Sequence, residues 1–106
     1  MAAYVIFDVP PTTDTQREAM KPYGEKAWDT LKPYGGKPIV RTNEIEIREI
    51  NRDKSWTPTR LLIIEFPTVA AARWYDSPEY QALLPIRLNA RGPDNVLIVE
   101  GLKADT

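Results

Sequence analysis

Arg87 is where chemistry would first be sought. It belongs to the series Tyr80, Leu83, Leu84, Arg87 and Leu88, the i, i+3, i+4, i+7, i+8 spacing of a helical stripe turned toward a core. A guanidinium on such a stripe needs a carboxylate or an anionic ligand, because a charge left unpaired in a core is strongly destabilising. Three acids are candidate partners. Asp8, Glu65 and Glu100 each follow two apolar positions of the same parity in an apolar run. In the expected sheet Glu65 and Glu100 share one end and Asp8 lies at the other. Two readings stay open, a structural ion pair and a clamp for a small carboxylate or enolate. In the second, Tyr75 or Tyr80 would donate a proton, and Glu65 would act as base or orient Arg87.

The aromatic residues Tyr23, Trp28, Trp74, Tyr75 and Tyr80 could line a cleft between helices and sheet, or simply fill the core. Trp28, Arg41, Trp74, Tyr75, Tyr80 and Arg87 form the candidate ligand-binding set. Ser77-Pro78 opens a helix whose free N–H groups could hold an anion, although an ordinary cap accounts for the same residues.

What is missing narrows the chemistry. The chain has no cysteine and no histidine. Disulfides, thiolate nucleophiles, Ser-His-Asp and Cys-His catalysis, His-ligated haem and most zinc sites are therefore excluded. Glu44, Glu46 and Glu49 read as the wet face of a strand rather than as a metal site, and the five glycines mark turns and element ends rather than a phosphate loop. No metal and no cofactor are expected. Fourteen basic residues against fifteen acidic ones leave no excess for tracking nucleic-acid phosphates. No apolar run approaches the roughly 18 residues of a membrane span. The opening MAAYVIFDVPP has no basic region of the kind that starts a secretion signal, so a bacterial cytoplasmic protein is the default expectation.

These residues need elements to position them. A length of 106 residues predicts one domain over 1–106. Tyr4 to Val9 predicts a strand closed by Pro10-Pro11. Thr13 to Tyr34 has helical spacing, with a Thr13/Gln16 capping box and a kink at Pro22. Lys37 to Ile50 predicts a strand, alternating cleanly over Glu44-Ile45-Glu46-Ile47-Arg48. A polar loop follows over Asn51 to Thr59. Arg60 to Phe66 is a strand, Thr68 to Tyr75 a short helix, Ser77 to about Asn89 a helix bent near Pro85, and Asn95 to Gly101 the last strand. The order β-α-β-β-α-β, its second helix split in two, predicts an α+β ferredoxin-like fold with two helices packed on one face of a four-stranded antiparallel sheet.

Three of the strands are apolar on both faces. Tyr4 and Ile6 oppose Val5, Phe7 and Val9; Leu61 and Ile63 oppose Leu62, Ile64 and Phe66; Val96 and Ile98 oppose Leu97 and Val99. Helices cover one face only, so a second copy of the same sheet is the simplest cover for the other. The expected partner is the chain itself.

The segments AYVIFDV, YGGKPIVR, EIEIRE, RLLIIEFP, AARWYDSPEYQALLPIR and VLIVEG together resemble the domain of unknown function 1330 family, within the dimeric α/β-barrel superfamily. The segment around Trp74, Tyr75 and Ser77-Pro78-Glu79-Tyr80-Gln81 is the specific part. Two features depart from the family: Thr42-Asn43 stand where glycines are usual, and Pro22 and the KPYGEKAW segment are unusual in the first helix. The resemblance implies a ferredoxin-like subunit and a homodimer whose sheets form a barrel. It implies no settled activity, since the superfamily includes cofactor-independent monooxygenases, lactone isomerases, haem enzymes and stress-response proteins. The missing histidine argues against the haem branch. What remains is a binder of a small anionic or aromatic ligand, or a cofactor-independent monooxygenase or isomerase using Arg, Tyr and Glu.

Overall fold

Apolar alternation in four short segments builds one antiparallel sheet. The computed structural model describes residues 1–102, so the last four residues of the expected domain lie outside the described residues. The strands are β1 (Ala3–Asp8), β2 (Lys37–Thr42), β3 (Leu61–Phe66) and β4 (Asn95–Glu100), in spatial order β2-β3-β1-β4. Every neighbouring pair is antiparallel. This is the expected α+β, ferredoxin-like arrangement, and it places the first and last strands side by side.

One sheet face carries Ala3, Val5 and Phe7 of β1 beside Ile64 and Phe66 of β3, and these residues form the core with Leu31, Ala72, Trp74 and Tyr80. The helices lie on this face. The first helical segment is broken further than one proline kink would require. It comprises α1 (Asp14–Ala19), α2 (Lys21–Ala27) and a 3₁₀ stretch over Trp28–Tyr34. Pro22 has no N–H to give to the preceding turn, so the chain restarts with the proline in the first turn of α2. The predicted capping box is present: the Gln16 amide N–H donates to Thr13 Oγ1 at 3.1 Å, and Gln16 Oε1 accepts from the Thr13 N–H at 2.9 Å.

The second helical region is split as predicted. Thr68 caps α3 (Val69–Ala72), a 3₁₀ turn covers Arg73–Asp76, and Ser77 caps α4 (Pro78–Arg91) through a 3.2 Å hydrogen bond from the Tyr80 N–H. Among the described residues, no helix is long and apolar enough to cross a membrane.

One expectation fails. The predicted strand over Lys37 to Ile50 ends at Thr42. Residues 44–50 form no ladder: the segment they would meet just before β3 holds Pro58, which has no N–H to offer. Alternation makes a segment fit to be a strand, but a strand also needs an edge to pair with.

Gly35 and Gly36 end the first helical region. Gly35 has φ of 72°, a conformation open to glycine without strain. Gly36 is fixed by space. A Cβ there would stand 2.7 Å from Phe66 Cε1 and 2.9 Å from Leu31 Cδ2, and both side chains are core members. Gly36→Ala should therefore destabilise the fold by about 1–3 kcal/mol. Urea unfolding of the variant beside the wild type checks this, and an unchanged midpoint would show that the ring and the leucine yield freely.

Candidate functional site

Between α1, α2 and the 3₁₀ stretch on one side and β1, β2 and β3 on the other lies a cleft of about 920 Å³. Its apolar floor includes Phe7, Leu62, Ile64 and Trp74, and its walls include Tyr23, Trp28 and Arg41. The sheet register explains the floor. Phe7 is opposite Leu62 and Val5 opposite Ile64, on the face the helices cover. Arg41 is opposite Leu62, so the same pleat lifts its guanidinium to this face. There it stacks over the Trp28 ring, 5.5 Å from the centroid, a geometry that a cation and an aromatic face favour.

The predicted site residues divide into two groups. Trp28, Arg41 and Trp74 line the cleft, whereas Tyr75, Tyr80 and Arg87 do not. Trp74 is buried and its indole N–H donates to Thr30 Oγ1 at 2.8 Å. Tyr75 packs on Tyr80 with ring centroids 5.1 Å apart. Arg87 is only 1% exposed and lies behind the cleft, its guanidinium carbon 5.9 Å from the centroids of both Phe7 and Tyr23.

The partner of Arg87 is Asp94, not Asp8, Glu65 or Glu100. Arg87 Nη1 is 3.1 Å from Asp94 Oδ2, with Asp94 itself 2% exposed. Arg91 holds the same carboxylate with both Nη1 and Nη2. The strand acids fail for a reason set by the pleat. Asp8 and Glu65 project from the face away from the helices, where Asp8 accepts from the Trp56 indole N–H at 2.8 Å and Glu65 from the Tyr4 hydroxyl at 3.3 Å. Glu100 is exposed at the register of Ala3. Glu65 therefore cannot serve as base or orienter for anything in the cleft. A signal for Asp94 was present in the sequence. Arg87 and Arg91 are one helical turn apart, and Gly92-Pro93 returns the chain toward the same turn.

The cluster continues from Arg87 to two tyrosines. Arg87 Nη2 donates to the Tyr80 hydroxyl across a long 3.4 Å, and the Tyr80 and Tyr23 hydroxyls are 2.6 Å apart. Burial pushes the Tyr80 phenol well above its usual range, and Tyr23 beside it adds to the rise. Burial also raises the Tyr23 phenol. Both stay protonated near neutrality, and both are poorer proton donors than a free tyrosine. Burial opposes the charge on Arg87, but Tyr80, Asp94 and Tyr23 around it prevail, and it stays a cation. Arg87 Nε and Nη1 are buried without a hydrogen-bond partner among the described residues, so the contact to Asp94 is an ion pair rather than a well-aligned hydrogen bond. Leu88, expected on the same buried stripe, is 42% exposed, because α4 turns that position beyond the edge of the sheet-facing arc.

The fold has known counterparts. A crystal structure of RPA0582, a protein of unknown function from Rhodopseudomonas palustris, superposes with a TM-score of 0.65 at 20% identity over 96% of this chain and 83% of that one. The methylated form of RPA0582 gives 0.68 at 21% identity over 99% and 84%. No curated protein matches the chain. At this identity the likeness bears on the fold alone. The sequence model of a family described as "Domain of unknown function (DUF1330)" matches residues 2–102, nearly the whole length, and the chain belongs to that family.

Proposed function

We propose that this protein binds a small aromatic carboxylate in the cleft between its first helical region and the sheet. The observation that carries this reading is Arg41. Its guanidinium carbon lies over the Trp28 ring, 5.5 Å from the centroid, yet its N–H groups make no ion pair or hydrogen bond among the described residues. Other cations around the cleft are engaged: Arg17 with Asp14, Lys21 with Glu18, Arg91 with Asp94 and Arg60 with Asn43. A planar fork with a free edge beside an apolar floor suits a carboxylate attached to a ring. The lining holds Arg17, Lys21, Arg41, Arg60 and Arg91 against Glu25 and Asp94, a cationic bias in a chain whose net charge is −1, and that bias favours anions. Binding rather than turnover is the reading taken up, because Asp94 is tied between two arginines and the tyrosines are hard to ionise, which leaves the exposed Glu25 as the uncommitted carboxylate of the lining.

Calorimetric titration with benzoate and benzamide tests the proposal. The wild type should prefer the acid. Arg41→Ala should weaken the acid by about tenfold, about 1.4 kcal/mol, at the low end for a charged hydrogen bond because Arg41 is exposed. Amide binding should be little changed. Equal affinity for the two probes in the wild type, or an unchanged acid affinity in the variant, would end this reading.

We also propose that the protein works as a homodimer, with a second copy laid on the sheet face away from the helices. Leu97 and Val99 of β4 are 57% and 37% exposed on that face, in register with Ile6 and Tyr4. This patch supports the expected self-association.

A further inference from the structure

The hydroxyl protons of the Tyr23–Tyr80 pair have only one satisfactory arrangement, and it leaves the Tyr23 proton uncommitted. Tyr80 is wholly buried. Its hydroxyl has two polar neighbours, Arg87 Nη2 at 3.4 Å and the Tyr23 hydroxyl at 2.6 Å. A guanidinium only donates. If Tyr23 also donated to Tyr80, the Tyr80 proton would have no acceptor in a dry environment, an arrangement that folded proteins avoid. Tyr80 must therefore donate to Tyr23. The Tyr23 oxygen is thereby occupied as an acceptor from within, and its own proton is left without an acceptor among the described residues. Tyr23 is half-buried and lines the cleft. The nearby Asp94 carboxylate is engaged by Arg87 and Arg91 and makes no hydrogen bond with Tyr23.

From this we infer that Tyr23 is a specificity-determining residue: a hydrogen-bond donor, fixed in sense by the chain Arg87 to Tyr80 to Tyr23, that selects ligands carrying a second acceptor oxygen, a ring ketone or similar carbonyl, in addition to the carboxylate. The inference rests on the cleft binding an aromatic acid through Arg41. A donor held with its acceptor side already spent rejects an isostere lacking the acceptor, because the buried proton then goes unpaired.

The test compares acetylbenzoates with isopropylbenzoates, the ortho, meta and para isomers of each, by calorimetry. These pairs match in shape and differ in the acceptor oxygen. The wild type should prefer one acetyl isomer over its isopropyl counterpart by about tenfold. Tyr23→Phe should abolish that preference while leaving affinity for the isopropyl compound nearly unchanged. Tyr80→Phe, which leaves the Tyr23 proton free, should retain a preference for the acetyl compound. A Tyr23→Phe variant that keeps the full acetyl preference overturns the role of Tyr23 and leaves the Arg41 reading standing. So does a wild type that binds the acids without distinguishing acetyl from isopropyl. A wild type that binds none of the six acids overturns the role of Tyr23, and the Arg41 reading falls with it only where benzoate also fails to bind.

Discussion

Asp94→Ala should be among the most damaging single substitutions in this protein, and Arg87→Met should be far milder, although both remove one member of the same ion pair. The asymmetry follows from charge balance. Among the described residues, Asp94 is the one carboxylate shared by two guanidiniums, at 2% exposure. Without it, Arg87 is left as a buried cation between the rings of Phe7 and Tyr23, and Arg91 loses its forked partner. Breaking a buried pair by removing one partner costs about 3–5 kcal/mol, a large share of the roughly 5–15 kcal/mol that holds an ordinary domain together. Removing Arg87 leaves Asp94 neutralised by Arg91, and methionine refills much of the volume with a flexible apolar chain. What is lost is the second cation on a carboxylate that Arg91 still holds, the long contact to Tyr80 and two cation–ring contacts, for about 1–2 kcal/mol. Asp94→Asn keeps the shape and removes only the charge, so it should resemble Asp94→Ala. Urea denaturation of the three variants decides the matter. A mild Asp94→Asn, or an Arg87→Met as severe as Asp94→Ala, would show that the carboxylate is not what keeps these arginines buried.

That cluster also shows how far the sequence could be read. The stripe through Tyr80 and Arg87 correctly placed an arginine against the core, because helical spacing reports which face is buried whatever the side chain carries. The partner was sought on strands, where parity gave tidy candidates. Parity says which strand residues share a face, but not which face the helices take, and two of the three acids proved to be on the other side. Asp94 stands in the three-residue return of Gly92, Pro93 and Asp94 between α4 and β4, where no periodicity exists to flag it. The caps at Thr13 and Ser77 were legible because a cap is a local bargain among four neighbouring residues. The cleft was legible only as an aromatic inventory. Trp28 and Arg41 are distant in sequence, and their stacking depends on how the register of β2 on β3 sets Arg41 opposite Leu62. The strand predicted through Ile50 failed for the complementary reason: Ile45 and Ile47 carry the right alternation, but nothing in a segment's own residues states whether a neighbouring edge is free to receive it.

In the proposed homodimer, a particle of twice the 12.1 kDa chain mass, Leu97→Lys combined with Val99→Lys should leave only monomer. Both side chains belong to the face of β4 that the helices do not cover, and a symmetric interface presents each of them twice. A lysine forced against an apolar partner must either lose hydration or hold the two sheets apart. If each copy of the altered patch forfeits about 3 kcal/mol of apolar burial, the dimer weakens by about 6 kcal/mol, or roughly 10⁴-fold, enough to dissociate even a nanomolar pair at micromolar concentration. Leu88→Lys supplies the control. Leu88 is also largely exposed, at 42%, but it belongs to α4 on the opposite side of the sheet, so its replacement should leave the mass unchanged. Light scattering on the three proteins separates the possibilities. A wild type that is monomeric at micromolar concentration removes the dimer outright. A double variant that stays dimeric moves the interface away from β4. A Leu88 variant that alone dissociates would place the contact among the helices, and the apolar side chains of Leu97 and Val99 would then need another cover.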